Sequence, residues 1–292
     1  MKKVLFKGCS TALITPFTND GVDFEELRKL IEFQILEGID SLIICGTTGE
    51  SSTMSLEEKK SVIEFSIKIA NGRVPIIAGT GGNNTKEGIS LSKYAESVGA
   101  DGLLLVTPYY NKTTQNGLIA HFTEIAKSVS LPIILYNVPS RTGLNIEPET
   151  CLELSKIPNI VGIKEASGNI SQVAKIANLC QDNLAIYSGN DDQIVPILSL
   201  GGLGVISVLS NIYPKYVHDL VMDYLTGNWQ KATASQVYAI PLINALFSEV
   251  NPIPIKYAVN KIGFKAGLPR LPLVELSDKN KEKIDLIMKN WI

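Results

Sequence analysis

Short apolar runs recur along the chain at regular intervals, and the stretches between them carry apolar residues at helical spacing. Most runs are rich in Ile, Val and Leu without polar alternation, which is typical of parallel strands covered on both faces. The runs predict eight strands: Cys9–Ile14, Ser41–Cys45, Pro75–Ala78, Gly102–Val106, Pro132–Val138, Ile160–Lys164, Leu184–Tyr187 and Val205–Val208. The intervening stretches predict helices over Phe24–Leu36, Leu56–Ala70, Thr85–Val98, Gly117–Ser128, Pro148–Lys156, Ser171–Leu179 and Asp191–Leu200.

Helix boundary signals agree with this pattern. Asp23 stands before the first predicted helix, and Ser55 with Glu58 forms a capping-box pattern before the second. Gly38 and Gly99 stand where two helices are expected to end. The alternation of strands and helices is therefore supported by independent local signals.

Eight strands alternating with helices over about 225 residues match an α/β fold of the (β/α)8 TIM-barrel type. A doubly wound open sheet is the alternative, but it usually has a Gly-rich phosphate turn after its first strand. Here that strand is followed by Thr15-Pro16-Phe17. We expect a barrel over residues 1–225 and a C-terminal helical extension packed on it over residues 226–292. Late helices are predicted at Tyr216–Leu225, Gln230–Phe247, Ile255–Ile262 and Lys279–Lys289.

Composition narrows the class of protein. The chain has 292 residues, of which 45% are hydrophobic and 19% charged, and its formal net charge is −2. Without a basic block we expect no nucleic-acid partner, and without a long apolar run we expect no membrane association and a cytoplasmic location. The four cysteines form no CxxC pair and the two histidines have no metal-binding context. We therefore expect reduced packing cysteines and no metal site.

One residue stands out chemically, the lysine near the end of the sixth predicted strand. Lys164 follows the apolar run Ile160-Val161-Gly162-Ile163. Burial favours the neutral amine, which is the nucleophilic form, so Lys164 is a candidate for imine formation with a keto acid. The alternative is a strand-end lysine that reaches solvent or pairs with a carboxylate.

Other strand ends bring polar side chains to the same mouth, because the chemistry of such barrels lies at the C-terminal ends of the strands. Tyr136 and Lys164 are each the fifth residue of neighbouring runs, so we expect equal height and the same inward direction. A phenol beside an amine can transfer protons while an imine forms and breaks. Taken singly, Tyr136 could also be an aromatic residue that fills the barrel.

Four further strand-end positions have both structural and functional interpretations. Thr47 and Thr48 could be turn residues, and Arg141 could be a solvated loop charge. Glu50 could be a charge at a helix N-terminus or a functional group. Asp191 and Asp192 are expected to cap the helix that follows them.

Three motifs carry a resemblance to a known family: Gly46-Thr47-Thr48-Gly49-Glu50, Tyr136-Asn137-Val138-Pro139-Ser140-Arg141-Thr142-Gly143 and Gly162-Ile163-Lys164-Glu165-Ala166. They resemble the dihydrodipicolinate synthase family, part of the pyruvate-dependent class I lyases that include N-acetylneuraminate lyase. The resemblance extends over essentially the whole chain, including Asn251-Pro252-Ile253-Pro254-Ile255-Lys256.

The resemblance implies condensation of pyruvate with aspartate 4-semialdehyde in lysine and diaminopimelate biosynthesis. It implies a homotetramer built from dimers, with no metal or organic cofactor. It implies that Lys164 forms the Schiff base and that Tyr136, Thr47 and Tyr110 from another subunit form a proton relay. It implies carboxylate binding by Thr48 and Arg141. It also implies backbone contacts from Gly189 and Ile206. The alternative is a related lyase acting on a sugar-type aldehyde such as N-acetylmannosamine, which offers Arg141 no carboxylate.

The family also implies an inhibitory lysine site near the subunit interface, where matching positions are Ser51, Leu56, Lys59, Asn83, Glu87 and Tyr109. Strongly inhibited members carry two histidines where this sequence has Leu56 and Lys59. The Lys59 ammonium would repel the cationic end of a lysine ligand. We therefore expect weak or absent inhibition by lysine.

Overall fold

The computed structural model describes residues 2–291. Within them, parallel strands form one closed barrel in which neighbours along the chain pair and the last strand returns to the first. The barrel strands, named β1 to β8 in chain order, are Gly8–Ala12, Ser41–Ile44, Ile76–Gly79, Gly102–Val106, Ile133–Asn137, Ile160–Glu165, Ala185–Ser188 and Gly204–Ser207. Closure confirms the predicted (β/α)8 architecture and excludes the open doubly wound sheet.

Helices cover the barrel and then continue beyond it. The main helices of the barrel layer are Phe24–Leu36, Leu56–Ala70, Thr85–Ser97, Gln115–Lys127, Pro148–Leu154, Ile170–Cys180, Ile194–Ser199 and Pro214–Leu225. The C-terminal helices are Trp229–Leu246, Ile253–Lys261 and Asp278–Lys289. These match the predicted late helices, while the boundary at residue 225 stays a prediction.

Several short elements have no counterpart in the sequence pattern. They are the antiparallel pair Phe17–Thr18 and Gly21–Val22, the helical turn Pro139–Thr142, and the 3-10 turns Ser51–Thr53, Gln181–Asn183, Asp191–Gln193 and Leu209–Asn211. Most of these turns follow barrel strands directly. They therefore shape the mouth of the barrel, where periodicity gives no signal.

The predicted helix boundaries are confirmed in atomic detail. The Asp23 carboxylate accepts a hydrogen bond from the Glu26 backbone N–H, and Ser55 and Glu58 form a reciprocal capping box. Gly38 follows the first helix with φ +81°, a left-handed conformation that glycine adopts without a steric penalty. Local chemistry thus fixes where these helices begin and end.

The direction of each strand side chain follows from alternation along the strand. Ile133 and Leu135 of β5 pack outward against the helices, whereas Ile134 and Tyr136 belong to the cluster inside the barrel. Tyr136 is the register partner of Lys164 on β6, so both side chains face the interior. This register confirms the predicted equal height of the two residues.

The barrel interior is a packed core. Phe6 stacks on Tyr187 with 4.3 Å between ring centroids, and the Tyr187 hydroxyl donates to the Phe6 carbonyl over 2.9 Å. Tyr187 is also the register partner of Lys164 on its other side. The two strands next to Lys164 therefore carry Tyr136 and Tyr187 at its level. Space for a ligand lies beyond them, toward the C-terminal ends of the strands.

Candidate active site

Lys164 lies inside the barrel near the C-terminal end of β6. It is 5% exposed, and its Nζ is 4.3 Å from the centroid of the Tyr136 ring. Within residues 2–291, no carboxylate lies within ion-pair distance of Nζ. A buried amine that forms no ion pair and opens to a cavity suits a nucleophile better than a structural charge.

A cavity of about 160 Å³ opens above this lysine. Its lining includes six residues that the sequence predicted for the site, namely Thr47, Thr48, Tyr136, Arg141, Lys164 and Gly189. The remaining lining includes Asn251, to which the sequence analysis gave no role. A cavity of this size with hydroxyls, a guanidinium and an amine fits a small polar acid.

Gly189 is required by space beside the lysine. A Cβ at this position would lie 2.6 Å from Ala166 Cβ and 3.1 Å from Lys164 Cε. The Gly189 backbone N–H donates to the Glu165 carbonyl over 2.8 Å, which holds the two strand ends together. Any side chain here would displace the lysine or the strand.

The turn after β2 presents Thr47 and Thr48 to the cavity, and it is held from several sides. The Thr15 hydroxyl donates to the Gly49 carbonyl over 2.7 Å, and the Asn251 side-chain amide donates to the Thr48 hydroxyl oxygen over 3.0 Å. Glu50 closes the turn in a left-handed conformation with φ +55°. Such a conformation persists in a non-glycine residue only where its surroundings fix it.

Glu50 is fixed by a buried ion pair. Its carboxylate lies 2.7 Å from Lys256 Nζ, with side-chain exposures of 0% and 1%, and it also accepts from the Arg270 backbone N–H over 2.9 Å. Burial lowers the pKa of the Lys256 ammonium from its usual value, and the Glu50 charge opposes that shift. The centroid of the Phe17 ring lies 4.3 Å from Lys256 Nζ and 4.0 Å from the Arg270 guanidinium carbon. Neither interpretation of Glu50 from the sequence included this pair.

Arg141 lies on the short helical turn Pro139–Thr142 above β5. Its side chain is exposed at the mouth and, within residues 2–291, no carboxylate lies within ion-pair distance of it. The segment is held from below by Asn137, whose amide donates to Glu165 over 3.0 Å and accepts from the Ile146 N–H over 2.9 Å. The guanidinium is thus positioned at the cavity with its donors available.

Two predicted residues lie outside the cavity within this chain. Tyr110 is 93% exposed with φ +63°, so its hydroxyl does not reach Lys164 from the same subunit. Ile206 packs in the inner cluster with Tyr136, and the cavity lining from that part of the chain is Val208. Their predicted roles stay predictions.

Asp192 makes no capping hydrogen bond to the helix that follows, and neither does Asp191. The Asp191 carboxylate accepts from the backbone N–H groups of Val208 and Leu209 over 3.0 and 2.9 Å. Burial raises its pKa, and these hydrogen bonds oppose the shift. The residue therefore ties the segment after β7 to the segment after β8, which the sequence pattern could not indicate.

A second, larger cavity of about 550 Å³ adjoins the first. All six positions predicted for an inhibitory site line it, namely Ser51, Leu56, Lys59, Asn83, Glu87 and Tyr109. Thr47, Val138 and Arg141 line both cavities. A ligand in the larger cavity would therefore contact residues of the smaller one.

The described residues, 2–291, contain no cluster of histidine, cysteine or acidic side chains that could hold a metal ion. In the same part of the chain, no helix combines the length and apolar character needed to cross a bilayer. All four cysteines are buried free thiols, as predicted.

Comparison with known proteins gives one consistent relationship. The family model of the dihydrodipicolinate synthetase family matches residues 5–291. The 4-hydroxy-tetrahydrodipicolinate synthase of Thermoanaerobacter sp. (strain X514) is 57% identical over 288 residues, covering 98% of this chain and 97% of that protein. The dihydrodipicolinate synthase structure from Aquifex aeolicus matches with a TM-score of 0.96 and 44% identity over 98% of each chain. A structure described as the first monomeric dihydrodipicolinate synthase variant matches with a TM-score of 0.95 and 42% identity, covering 98% of this chain and 96% of that one.

Proposed function

Because the chain belongs to the dihydrodipicolinate synthetase family, we propose that it condenses pyruvate with aspartate 4-semialdehyde to give 4-hydroxy-tetrahydrodipicolinate. The single observation that supports this most strongly is Lys164, a buried amine in register with Tyr136 and open to a cavity with free hydroxyl and guanidinium donors. This arrangement suits Schiff-base chemistry on a small keto acid.

The steps follow from the groups in the cavity. The Lys164 amine attacks the pyruvate ketone, and loss of water gives an imine. Loss of a methyl proton then converts the imine to an enamine, whose carbon attacks the aldehyde. Tyr136 and Thr47 carry protons during imine formation and release, because both hydroxyls can donate and accept. The amino group of the adduct finally attacks the imine carbon, closes the ring and releases the lysine.

Two groups bind the carboxylates of the substrates. Thr48 holds the pyruvate carboxylate at the depth of Lys164, and Arg141 binds the carboxylate of the aldehyde at the mouth, where its planar donors suit a two-point contact. Backbone groups at Gly189 and Ile206 line the lysine side. No metal or organic cofactor is needed, because the C–H electron pair left by the methyl proton forms the enamine C=C bond and the C=N pair moves onto the imine nitrogen.

We further propose a cytoplasmic homotetramer built from dimers. Tyr110 supports the dimeric contact, because a 93% exposed tyrosine with a left-handed backbone is unusual for a solvated loop. A partner subunit would receive this side chain and complete the proton relay with Tyr136 and Thr47. The tetramer itself rests on the family resemblance.

The test is the initial rate with pyruvate and aspartate 4-semialdehyde, coupled to a downstream reductase, with Lys164→Ala as the blank. Arg141→Ala should lower kcat/KM for the aldehyde by about 150-fold or more, since two charge-assisted hydrogen bonds contribute at least about 1.5 kcal/mol each. Arg28→Ala, a change at a surface arginine near Glu25, is the matched control. No rate above the Lys164→Ala blank would contradict the proposal and favour a sugar-type aldehyde such as N-acetylmannosamine.

A further inference from the structure

We propose that Asn251 is a positioning residue that orients the Thr48 hydroxyl as a donor toward the carboxylate of the bound keto acid. The inference rests on the proposed function, because it assumes a keto acid above Lys164. It assigns a task in the reaction to the segment before the helix Ile253–Lys261, which lies far from the barrel strands in sequence.

The hydrogen bond between Asn251 and Thr48 has a defined direction. Asn251 Nδ2 donates to Thr48 Oγ1 over 3.0 Å, and the two residues are 5% and 3% exposed. A hydroxyl that accepts this bond keeps its own hydrogen for another acceptor. Both residues line the cavity that contains Lys164, so the free hydrogen can point at a ligand there. An anion such as a carboxylate is the acceptor for which such a donor is most valuable.

The carbonyl half of the same amide is unsatisfied. Asn251 Oδ1 is buried and, within residues 2–291, has no hydrogen-bond partner. A buried acceptor without a partner loses its hydration without compensation, which is unfavourable. A purely structural contact to Thr48 would not require an amide, since a smaller donor would avoid the orphan. The arrangement is therefore better suited to function than to stability.

The segment that contains Asn251 is held to the Thr48 turn at a second point. Asn251 stands five positions before Lys256, whose ammonium is paired with Glu50 at 2.7 Å, and Glu50 stands two positions after Thr48. The same turn is thus held at its hydroxyl by Asn251 and at its end by Lys256. Two fixed points leave the Thr48 side chain little freedom to rotate away from the cavity.

Asn251→Asp tests the direction of the hydrogen bond. A carboxylate can only accept, so the Thr48 hydroxyl must turn to donate to Asp, and a second anion then faces the pyruvate carboxylate. We expect the KM for pyruvate to rise at least tenfold, with kcat at saturating pyruvate changed less than threefold. Asn244→Asp is the matched control, because it makes the same charge change beside an adjoining cavity without bonding Thr48.

A double-mutant cycle with Thr48→Val separates positioning from general structure. If Asn251 acts through the Thr48 hydroxyl, Asn251→Ala should raise the KM for pyruvate in the wild type but less than twofold in the Thr48→Val background. Asn251→Ala also serves if the Asp variant does not fold. The proposal would be overturned if Asn251→Ala raised the KM for pyruvate by the same factor in both backgrounds. It would also be overturned if Asn251→Ala lowered kcat and left the KM for pyruvate unchanged.

Borohydride trapping of pyruvate on Lys164 keeps the two hypotheses apart. If the wild type traps no pyruvate, the proposed function is wrong and this inference falls with it. If the wild type traps pyruvate and Asn251→Asp traps it at the same half-saturating concentration, only the role of Asn251 is wrong.

Discussion

The buried pair Glu50–Lys256 permits a quantitative test of how the C-terminal helices support the active-site turn. Lys256→Met removes the cation and leaves the Glu50 carboxylate buried, with the Arg270 backbone N–H as its remaining hydrogen-bond donor. Removing one partner of a buried pair typically destabilises a protein by about 3–5 kcal/mol, because the other charge stays uncompensated. We expect a loss of that size.

The size of the chain converts this loss into a temperature shift. An unfolding entropy of about 2.1 cal/mol/K per residue gives about 0.6 kcal/mol/K for this chain, so Tm should fall by about 5–8 °C. The assay is scanning calorimetry at fixed protein concentration and neutral pH. Lys127→Met is the control, because Lys127 pairs with Glu124 on the surface and its loss should barely change Tm.

Removing the remaining charge as well should restore stability. Glu50→Gln added to Lys256→Met removes the uncompensated charge and keeps an acceptor for the Arg270 N–H, so most of the lost Tm should return. A fall in Tm of less than about 2 °C for Lys256→Met would mean that the Glu50 carboxylate is not left uncompensated. The reasoning would then fail. A double variant as unstable as the single one would show that packing, not charge, holds the turn.

Three further outcomes are expected. Gly189→Ala should weaken borohydride trapping on Lys164 while the circular dichroism of the barrel is kept, because a Cβ would lie 2.6 Å from Ala166 Cβ and 3.1 Å from Lys164 Cε; normal trapping would contradict this. The hydrogen bond to Asp40 raises the pKa of His218, so its stabilisation is full below about pH 6.5 and is lost as pH rises through the folded-state value. The Tm difference between wild type and His218→Gln should therefore be larger at about pH 5.5 than at about pH 9, and an equal difference would exclude the ion pair. Because Lys59 lines the larger cavity, inhibition by lysine should be weak, and half-inhibition below millimolar lysine would refute it.

The sequence predicted the barrel because its strands carry a strong signal. A strand buried on both faces must be apolar throughout, so each run stands out against its helical neighbours. The same reasoning located Lys164 and Tyr136, since equal position in neighbouring parallel strands implies neighbouring side chains. Register in β5 and β6 confirms this.

Partners that depend on tertiary docking could not be predicted in the same way. The helix Ile253–Lys261 contains Lys256 and Lys261, and nothing in its pattern distinguishes the lysine paired with Glu50 from the one paired at the surface with Asp285. Asp191 likewise has the sequence context of a helix cap, but the segment after β8 offers two backbone N–H groups and competes successfully for the carboxylate.

The buried pair has a consequence for function that stability alone would not reveal. Ion pairs of this kind can often be replaced without loss of stability, but Lys256 can meet Glu50 in only one docking of the C-terminal segment. That docking also places Asn251 against Thr48. The Glu50→Gln, Lys256→Met variant should therefore regain Tm and still bind pyruvate more weakly than the wild type, because the ion pair that selects this docking is lost. Measuring Tm and the KM for pyruvate on the same preparation checks this. A variant that regains both would mean that the pair contributes to packing alone, and that the turn holds its hydroxyls without help from the C-terminal helices.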